Sequence, residues 1–316
     1  MPTSRPNEPQ HREKPMNSQA AVGQGDVNDI EIVPSGKPAG AEIRGVDISR
    51  GVSEAAMAKI RDTLHRWKVV VLRNQHITPE QQIAFSRYFG RLERHVIPQY
   101  LVPGYQELVR VSNVLDEHGK PIGLVDAGRV WHSDGHFLPE PNLYSMLYAI
   151  EIPTDEQGEP LGSTLFVNTA HAYDDLPAQT QQRIRSLRAG NSLANVYARM
   201  HAENAAKNRP PLTEQQKKEA IHPVVRTHPI TGEKCLYVSR AATGRILDMD
   251  PQESDALIGE LADWSVRDEH VYSHRWAVGD LLIWDNCAAQ HMALGDYSLP
   301  QRRLLHRTTV GGLPTS

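Results

Sequence analysis

A histidine and a carboxylate two residues apart are the first side chains in this sequence whose spacing suggests chemistry. His132 and Asp134 belong to the segment Trp131–Phe137, which has the pattern of a β-strand. Because alternate side chains of a strand share a face, both could bind one ion from the same side. Two protein ligands are too few for a stable divalent site, and the candidate for a third is His291. Two histidines and one carboxylate form the facial triad that holds non-haem Fe(II) with open positions for substrate and O2.

Basic residues shortly after His291 favour this metal site over a chance pairing, which 15 histidines in 316 residues would also produce. They lie in the segment 296–307, which contains three arginines and ends in a predicted strand. Planar guanidinium groups can bind carboxylates through two parallel hydrogen bonds. Iron that activates O2 needs electrons, and an acidic co-substrate bound by such an arginine could supply them.

Four segments together resemble the taurine dioxygenase / 2,4-dichlorophenoxyacetate dioxygenase (TauD/TfdA) family. The matching segments are Trp131–Phe137, Leu161–Val167, His222–Val238 and Gly279–Val310, with weaker similarity over 40–95. The resemblance covers most of the chain beyond residue 30, and the combination is more specific than any single motif. It implies an oxygenase that uses Fe(II), 2-oxoglutarate and O2. Such an enzyme would hydroxylate a small organic acid (a sulfonate such as taurine, an alkyl sulfate or an aryloxyalkanoate) and release succinate and CO2.

The resemblance also assigns roles to single side chains. Thr164 and Arg303 would bind the distal carboxylate of 2-oxoglutarate, whereas Arg307 and His95 would bind the acidic group of the substrate with positive charge and hydrogen-bond donors. Arg303 and Arg307 are four residues apart, so on a strand both point to one face. Two structural roles stay open: one arginine could hold the C-terminal strand, and His95 could be a solvated loop residue.

Two features depart from the family pattern. Where the family usually has Gly-Gly-Asp before the threonine, this chain has Leu161-Gly162-Ser163, preceded by an enlarged loop over 153–160. The family also has one residue fewer between the third metal ligand and the Gln-Arg-Arg segment. We expect selectivity to change at the 153–160 loop, at a polar segment over 190–222 that predicts a lid or helical insert, and at a predicted mobile loop over 116–128.

Two other functions stay open for the same three ligands. Zinc also accepts His and Asp, so one alternative is a zinc- or iron-dependent cupin-type enzyme that does not use 2-oxoglutarate. That function would leave Arg303 without a task. The other alternative is a non-catalytic small-molecule binding module on the same fold, which would tolerate the loss of Asp134.

The predicted elements favour a mainly β fold with flanking helices. Short strands joined by turns, with helices before and among them, suggest an antiparallel double-sheet roll and not alternating β-α units. The resemblance implies the cupin-like double-stranded β-helix, or jelly roll, with His132 and Asp134 at its mouth and His291 across from them. Asp285 and Asn286, near the third ligand, could help to orient the metal ligands or could simply turn the chain.

The chain predicts one domain behind a disordered tail. Residues 1–28 contain four prolines among polar side chains and no periodic apolar positions. Residues 29–316 are expected to form a single dioxygenase domain that includes the insert. Apolar positions at helical spacing after Ser53, and a capping box from Thr78 to Gln81, predict two helices that brace a sheet.

Composition limits the partners. The chain is 39% hydrophobic and 23% charged, with a net charge of -4, which is ordinary for a soluble globular protein and argues against a nucleic-acid partner. Apolar runs are too short for a membrane span, and the start of the chain lacks the apolar core of a secretory signal. The two cysteines, Cys235 and Cys287, suit a reducing cytoplasm. We therefore expect a cytoplasmic enzyme with a small anionic substrate, and a dimer or tetramer stays open.

Overall fold

The computed structural model describes residues 27–95, 98–125, 128–202 and 211–315. The predicted tail over 1–28 lies outside the described residues except for its last two positions. The helices are α1 Glu54–Trp67, α2 Pro79–Arg87, α3 Thr169–Asp174, α4 Ala178–Ile184, α5 Leu193–Ala202 and α6 Pro251–Ser265. The strands are β1 Glu31–Pro34, β2 Ala41–Arg44, β3 Val69–Leu72, β4 Leu101–Val102, β5 Tyr105–Ser112, β6 Tyr144–Glu151, β7 Thr164–Asn168, β8 Arg188–Asn191, β9 Ala220–Pro223, β10 Val225–Thr227, β11 Lys234–Leu236, β12 Thr243–Ile246, β13 Val271–His274, β14 Leu281–Asp285, β15 Ala289–Ala293 and β16 Leu304–Val310.

Two sheets form the core of the fold. The large sheet has eight strands in the order β1-β2-β3-β14-β6-β16-β5-β4, in which β2 and β3 are parallel and the other pairs antiparallel. The small sheet is antiparallel, in the order β13-β7-β15. Phe166 of the small sheet packs in one buried cluster with Leu147, Leu282 and Trp284 of the large sheet. The predicted double-sheet roll with flanking helices is thereby confirmed.

Strand β14 shows why the large sheet lies in the middle of the molecule. Leu281 and Ile283 pack on one face in the cluster that contains the α1 and α2 side chains. Leu282 and Trp284 pack on the other face, in the cluster shared with the small sheet. Alternate side chains point to opposite faces, so a strand covered on both sides is apolar at successive positions. The space between the two sheets is therefore enclosed, and the candidate site lies there.

The two predicted bracing helices are present with their predicted starts. Ser53 is the N-cap of α1, and its side chain accepts a hydrogen bond from the backbone of Ala56. Thr78 and Gln81 form the reciprocal capping box at the start of α2. The helix side chains that face the sheet, such as Leu64, are buried. Burying a leucine of this kind stabilises the folded state by about 1.5–3 kcal/mol relative to leaving it exposed. No helix among the described residues is both long and apolar enough to cross a membrane.

A smaller layer contains the segment predicted as an insert. Strands β8 and β9 lie before and after α5, and together with β12 they form a three-stranded antiparallel sheet. Ala189 of β8 and Ile246 of β12 share a buried apolar cluster with α6. Residues 203–210 lie outside the described residues. The described part of the insert is thus anchored at both ends by strands, which hold α5 in a defined position.

The segment around the first two candidate ligands differs from the predicted strand. His132 forms a single antiparallel bridge with His291, and residues 134–137 then form a turn. Gly135 in this turn has a φ of +71°, a conformation that favours glycine. The two ligands therefore share a side because the chain turns immediately after the bridge, and not because strand side chains alternate.

The two predicted loops are short turns with the same hydrogen-bond pattern. Asp116 and Asp155 each accept hydrogen bonds from the backbone N–H groups two and four residues later, at 2.8–2.9 Å. Each loop is closed by an isolated β-bridge. Residues 116–120, the first part of the predicted mobile loop, are instead a hydrogen-bonded turn, because the aspartate side chain satisfies the backbone donors. Positions 126–127 lie outside the described residues.

Candidate active site

Three ligands from distant parts of the chain meet between the sheets. The nitrogen and carboxylate oxygen atoms that His132, Asp134 and His291 can offer to a metal lie within 4.8 Å of one another. The backbones of His132 and His291 exchange two hydrogen bonds, of 3.1 and 2.8 Å. Their ring centres are 4.2 Å apart, and His132 Nε2 is 3.6 Å from Asp134 Oδ1. The predicted triad is therefore assembled in one place.

The hydrogen bonds of the two imidazoles fit a metal centre. His132 Nδ1 lies 2.8 Å from the carbonyl oxygen of Val130. A carbonyl only accepts, so Nδ1 carries the proton and Nε2 presents its lone pair towards Asp134. His291 is buried, and its Nδ1 has no hydrogen-bond partner among the described residues. Phe166 and Trp284 pack against the His291 ring, with centres 5.7 and 4.8 Å away. This donor set suits a divalent metal such as Fe(II).

The carboxylate of Asp134 is oriented by a buried polar network. Ser145 Oγ donates to Asp134 Oδ2 at 2.6 Å, and Asn286 Nδ2 donates to Ser145 Oγ at 3.0 Å. Asn286 Oδ1 accepts from the Asp134 backbone at 3.2 Å and from Trp284 Nε1 at 2.9 Å. These contacts hold one carboxylate oxygen and leave Oδ1 facing His132. Of the two interpretations of Asn286 in the sequence, the orienting role fits these contacts.

A small inner cavity of about 40 Å³ lies beside the triad. Thr164, Arg303 and both histidine ligands line it. Trp276 Nε1 donates to Thr164 Oγ1 at 3.0 Å, so the threonine keeps its own proton free to donate to a carboxylate in the cavity. The structure therefore brings together the residues predicted to bind 2-oxoglutarate.

Arg303 is a buried cation in the lining of the inner cavity. Its side chain is almost completely buried, with 2% exposure of the residue. One nitrogen, Nη2, donates to the Gly162 carbonyl at 3.3 Å, whereas Nε has no hydrogen-bond partner in the described part of the chain. No carboxylate of the described residues forms an ion pair with it. Burial lowers the pKa of Arg303, because desolvation penalises the charged form. A buried guanidinium without an anion is costly, so a ligand carboxylate would complete this environment.

A larger outer cavity of about 330 Å³ opens on the other side of the triad. Its polar lining includes Arg307, His95 and Asn142, together with His132 and Asp134. Its apolar lining is more extensive and consists of Leu124, Val130, Phe137, Leu138, Leu193, Val196 and Ala242. The cavity can therefore hold a ligand with an apolar body beside the three candidate metal ligands.

Comparison with known proteins identifies the family. The model of the family described as "Taurine catabolism dioxygenase TauD, TfdA family" matches residues 31–309. The chain belongs to this family. Pentalenolactone F synthase of Streptomyces arenae is 28% identical over 88% of this chain and 94% of its own length. The alpha-ketoglutarate-dependent 2,4-dichlorophenoxyacetate dioxygenase of Cupriavidus pinatubonensis is 31% identical over 85% of this chain and 93% of its own length. A crystal structure of a taurine dioxygenase from Burkholderia xenovorans has a TM-score of 0.74 and 31% identity, and the match covers 91% of each chain.

This TauD/TfdA membership confirms the predicted activity class. The protein is a 2-oxoglutarate-dependent dioxygenase, and Fe(II), 2-oxoglutarate and O2 are its metal, co-substrate and oxidant. Among the three functions that the ligand set left open, family membership selects the oxygenase. An enzyme that does not use 2-oxoglutarate and a non-catalytic binding module are therefore not supported.

The electrostatics of the triad suit metal ligands. Burial alone would raise the pKa of Asp134, but the facing His132 ring, His291 and the Arg307 guanidinium outweigh it and hold that pKa well below its usual range. Burial, followed by the neighbouring His132, lowers the pKa of His291 to about 3. Near neutral pH Asp134 is therefore ionised and His291 neutral, which are the forms that bind metals.

His95 lies in the outer cavity as predicted, but it does not add positive charge there. Burial, reinforced by the charge of Arg307, lowers the pKa of His95 to about 4. The imidazole is therefore neutral near pH 7. The expectation that His95 is a second cation beside Arg307 is wrong in this respect, because a buried ring next to a guanidinium loses its proton. It can still donate or accept one hydrogen bond.

A second cluster of ligand-type side chains, His228, Asp285 and Cys287, has a structural role. His228 Nδ1 accepts hydrogen bonds from the backbone N–H groups of Ile230 and Thr231, at 3.2 and 3.0 Å. Its Nε2 therefore carries the proton and donates to Asp285 Oδ2 at 2.7 Å. Neither ring nitrogen is free for a metal. The pair fixes the β10–β11 turn to the large sheet, and Asp285 does not contact the ligand triad.

Several residues of the site were missed in the sequence. Ser145 and Trp276 contact Asp134 and Thr164, but an isolated serine or tryptophan in a strand gives no signal of such a role. Leu193 and Val196 of α5 line the outer cavity. Two apolar side chains in an otherwise polar segment could have indicated that this part of the insert faces a cavity. The 153–160 loop, where selectivity was expected, contributes no residue to the described lining of either cavity.

Proposed function

We propose that this dioxygenase hydroxylates a small organic acid, with Fe(II) held by His132, Asp134 and His291. The observation that carries the proposal is the position of Arg307. Its Nη1 is 3.8 Å from Asp134 Oδ1, and its buried Nε has no hydrogen-bond partner among the described residues. It lines both cavities at the triad. Since the co-substrate carboxylate would occupy Arg303, the free donors of Arg307 suit an acidic group on the substrate.

The protein side chains orient the reactants. When bound, Fe(II) supplies the redox chemistry that couples oxidative decarboxylation of 2-oxoglutarate to hydroxylation of a substrate C–H bond. Arg303 pairs with the distal carboxylate of 2-oxoglutarate and Thr164 donates a hydrogen bond to it. Arg307, with a hydrogen bond from neutral His95, holds the acid group of the substrate, so that one carbon faces the metal. The apolar walls of both cavities limit the access of water.

The acid we propose has an apolar body. Sulfonates, alkyl sulfates and aryloxyalkanoates are the candidate classes, and each has an anionic group that can pair with a guanidinium. The predominantly apolar lining of the 330 Å³ outer cavity supports members with an alkyl or aryl body over small zwitterions such as taurine. A buried ammonium group would need a carboxylate partner. Asp134 is committed to the metal, and Glu93, the other carboxylate in the described lining, pairs with Arg91 at 3.2 Å.

A panel of acids tests this proposal. Purified enzyme with Fe(II) and 2-oxoglutarate is given alkyl and aryl acids, taurine and neutral analogues that lack the acid group, and succinate is measured. We expect turnover with apolar acids and little with the neutral analogues. A neutral analogue that reacts as well as its parent acid would contradict the assignment of Arg307.

The variant Arg307→Ala gives the second half of the test. Without the guanidinium, the acid should bind much more weakly, whereas half-saturation by 2-oxoglutarate should change little. Because the target carbon is no longer held, succinate should form in excess over hydroxylated product. Arg302→Ala is the matched control, since Arg302 pairs with Glu151 at the surface, at 2.8 and 3.0 Å. Unchanged coupling in Arg307→Ala would show that Arg307 is structural.

Three further expectations are part of the proposal. Residues 29–316 would form one domain in which α5 belongs to a lid over the substrate, as Leu193 and Val196 in the cavity wall support. A cytoplasmic location is supported by the free, buried Cys235 and Cys287. Assembly into a dimer or tetramer is open to measurement by sedimentation.

A further inference from the structure

The ring of Tyr297 contacts two arginine side chains, and one of them, Arg303, lines the inner cavity. The guanidinium carbon of Arg129 is 5.2 Å from the centre of the Tyr297 ring, and that of Arg303 is 5.8 Å from the same centre. Both distances are within the range of cation–π attraction. Arg303 also lies 5.8 Å from the centre of the Trp276 ring. Arg129 thus contacts the same Tyr297 ring that packs against Arg303, the arginine proposed to bind the co-substrate.

Two glycines make this packing possible. A Cβ atom at Gly295 would lie 2.1 Å from Arg129 Nη1, so only glycine leaves room for the guanidinium there. A Cβ atom at Gly162 would lie 2.9 Å from both Tyr297 Cε1 and Arg303 Nε. The two arginines and the tyrosine are therefore packed closely between glycine backbones. A shift of Arg129 would give the Tyr297 ring space to move away from Arg303.

The charges in this group are unbalanced. Arg129 Nη1 and Arg303 Nε are both buried without a hydrogen-bond partner, and neither arginine forms an ion pair with a carboxylate of the described residues. The charge of Asp296 acts on Arg303, and Asp296 Oδ1 also accepts the backbone N–H of Gly162 at 2.7 Å. Two guanidinium groups against this one nearby carboxylate leave an excess of positive charge beside the small cavity, which favours an anionic ligand.

Arg129 is also connected to the metal ligands through the backbone. The neighbouring Gly128 carbonyl accepts a hydrogen bond from Ala293 N at 2.7 Å, and Gly128 lines both cavities. Three residues after Arg129 is the ligand His132, which is paired with His291. The backbone on both sides of Arg129 is thus fixed to β15, at Ala293 and at His291.

We propose that Arg129 is a positioning residue for 2-oxoglutarate, which it serves by holding Tyr297 against Arg303 and by adding positive charge beside the inner cavity. The inference rests on the proposed role of Arg303 as the partner of the distal carboxylate. Arg129 does not line the inner cavity and acts through Tyr297 and through its field. Its loss should therefore weaken 2-oxoglutarate binding without changing the affinity for the substrate acid or the rate at saturating co-substrate.

Equilibrium binding under anaerobic conditions tests the proposal without turnover. The protein with Fe(II) is titrated with 2-oxoglutarate and followed by the visible charge-transfer band and by calorimetry. Loss of a partly desolvated cation–π contact in Arg129→Ala should raise the dissociation constant about five- to twentyfold. Arg129→Lys keeps the charge and Arg129→Met keeps most of the volume, so both should fall between Arg129→Ala and the unmodified protein. Arg302→Ala, an exposed arginine one residue from Arg303, should bind like the unmodified protein.

The outcomes separate this inference from the proposed function. If the unmodified protein shows no 2-oxoglutarate-dependent band, the proposed function fails. If the unmodified protein binds and Arg129→Ala binds equally well, only the role of Arg129 is overturned. A parallel rise in the half-saturating concentration of the substrate acid would also overturn it, since a general disturbance would then explain the effect. Should Arg129→Ala not fold, the same criteria apply to Arg129→Met and Arg129→Lys.

Discussion

The inner and outer cavities meet at the same three ligands but are built from different parts of the fold. The inner cavity is lined mainly by side chains of strands or of residues next to them, such as Thr164 and Arg303, and by the sheet cluster around Trp284. The outer cavity is lined by a turn, by loop residues and by α5 of the insert. In the proposed function, the strand-built inner cavity binds the co-substrate, and the less regular outer cavity binds the substrate acid.

The largest effect is expected from substitutions in the ligand triad, at which both cavities meet. His132→Ala, Asp134→Ala or His291→Ala should each abolish turnover with every acid, because each removes one of the three proposed metal ligands. Their circular dichroism spectra should stay close to that of the unmodified protein, since the triad is not part of the apolar core. His118→Ala, on the exposed 116–120 turn, is the control. Near-normal activity with iron in any ligand variant would refute the triad.

The second prediction weakens the inner cavity alone. Arg303→Ala leaves a buried carboxylate without its partner, at a cost on the order of 3–5 kcal/mol. The dissociation constant of 2-oxoglutarate should therefore rise roughly a hundred- to thousandfold, as measured by anaerobic titration. Thr164→Val removes one neutral donor and should cost less, about 1–3 kcal/mol. Unchanged half-saturation by 2-oxoglutarate in Arg303→Ala would reject the assignment.

The parts of the site that the sequence predicted are those that depend on residue identity. His132, Asp134 and His291 could be found because few side chains bind metals, and Arg303 because it follows them in a characteristic segment. Strand β15 was missed, since Ala289–Ala293 contains no β-branched or aromatic side chain and forms a strand only by pairing with β7. The stacking of Arg129 on Tyr297 was missed because it depends on contacts distant in sequence.

The third prediction tests how the metal ligands are oriented. Ser145→Ala removes the 2.6 Å hydrogen bond to Asp134 Oδ2 and leaves Asn286 Nδ2 without an acceptor. Iron affinity should fall about ten- to a hundredfold, as is usual when a group that orients a metal ligand is lost. Competition with a chelator measures this change. Ser145→Thr keeps the hydroxyl and should restore part of the affinity. Equal iron affinity in Ser145→Ala would mean that Asp134 needs no such support.

The fourth prediction alters only the outer cavity. Leu193→Ala enlarges the apolar wall formed by α5, so the preference between a bulky and a short-chain acid should change by about tenfold in kcat/KM. The half-saturating concentration of 2-oxoglutarate should stay the same, because Leu193 lines the outer cavity and not the inner one. An effect on 2-oxoglutarate as large as that on the acid would show that the cavities are coupled.

The smallest effect is expected at the 153–160 loop. Asp155→Ala removes two hydrogen bonds that hold the turn, at 2.9 and 2.8 Å, and should lower the free energy of unfolding by about 1 kcal/mol. Because the loop lines neither described cavity, the ranking of acids should not change. A changed ranking would restore the original expectation that this loop governs selectivity.

The backbone pairing of His132 with His291 has a consequence for how the metal is acquired. The same two segments are joined by Ser133 Oγ, which donates to the carbonyl of Ala289, 156 residues away in the chain, at 2.7 Å. Closing so long a loop is among the slower events of folding. A nascent or partly folded chain therefore has only a His-x-Asp pair to offer, and a pair binds divalent ions weakly. Iron should enter after the roll has closed, so the apo-protein can fold first and bind iron tightly only once its native topology is complete.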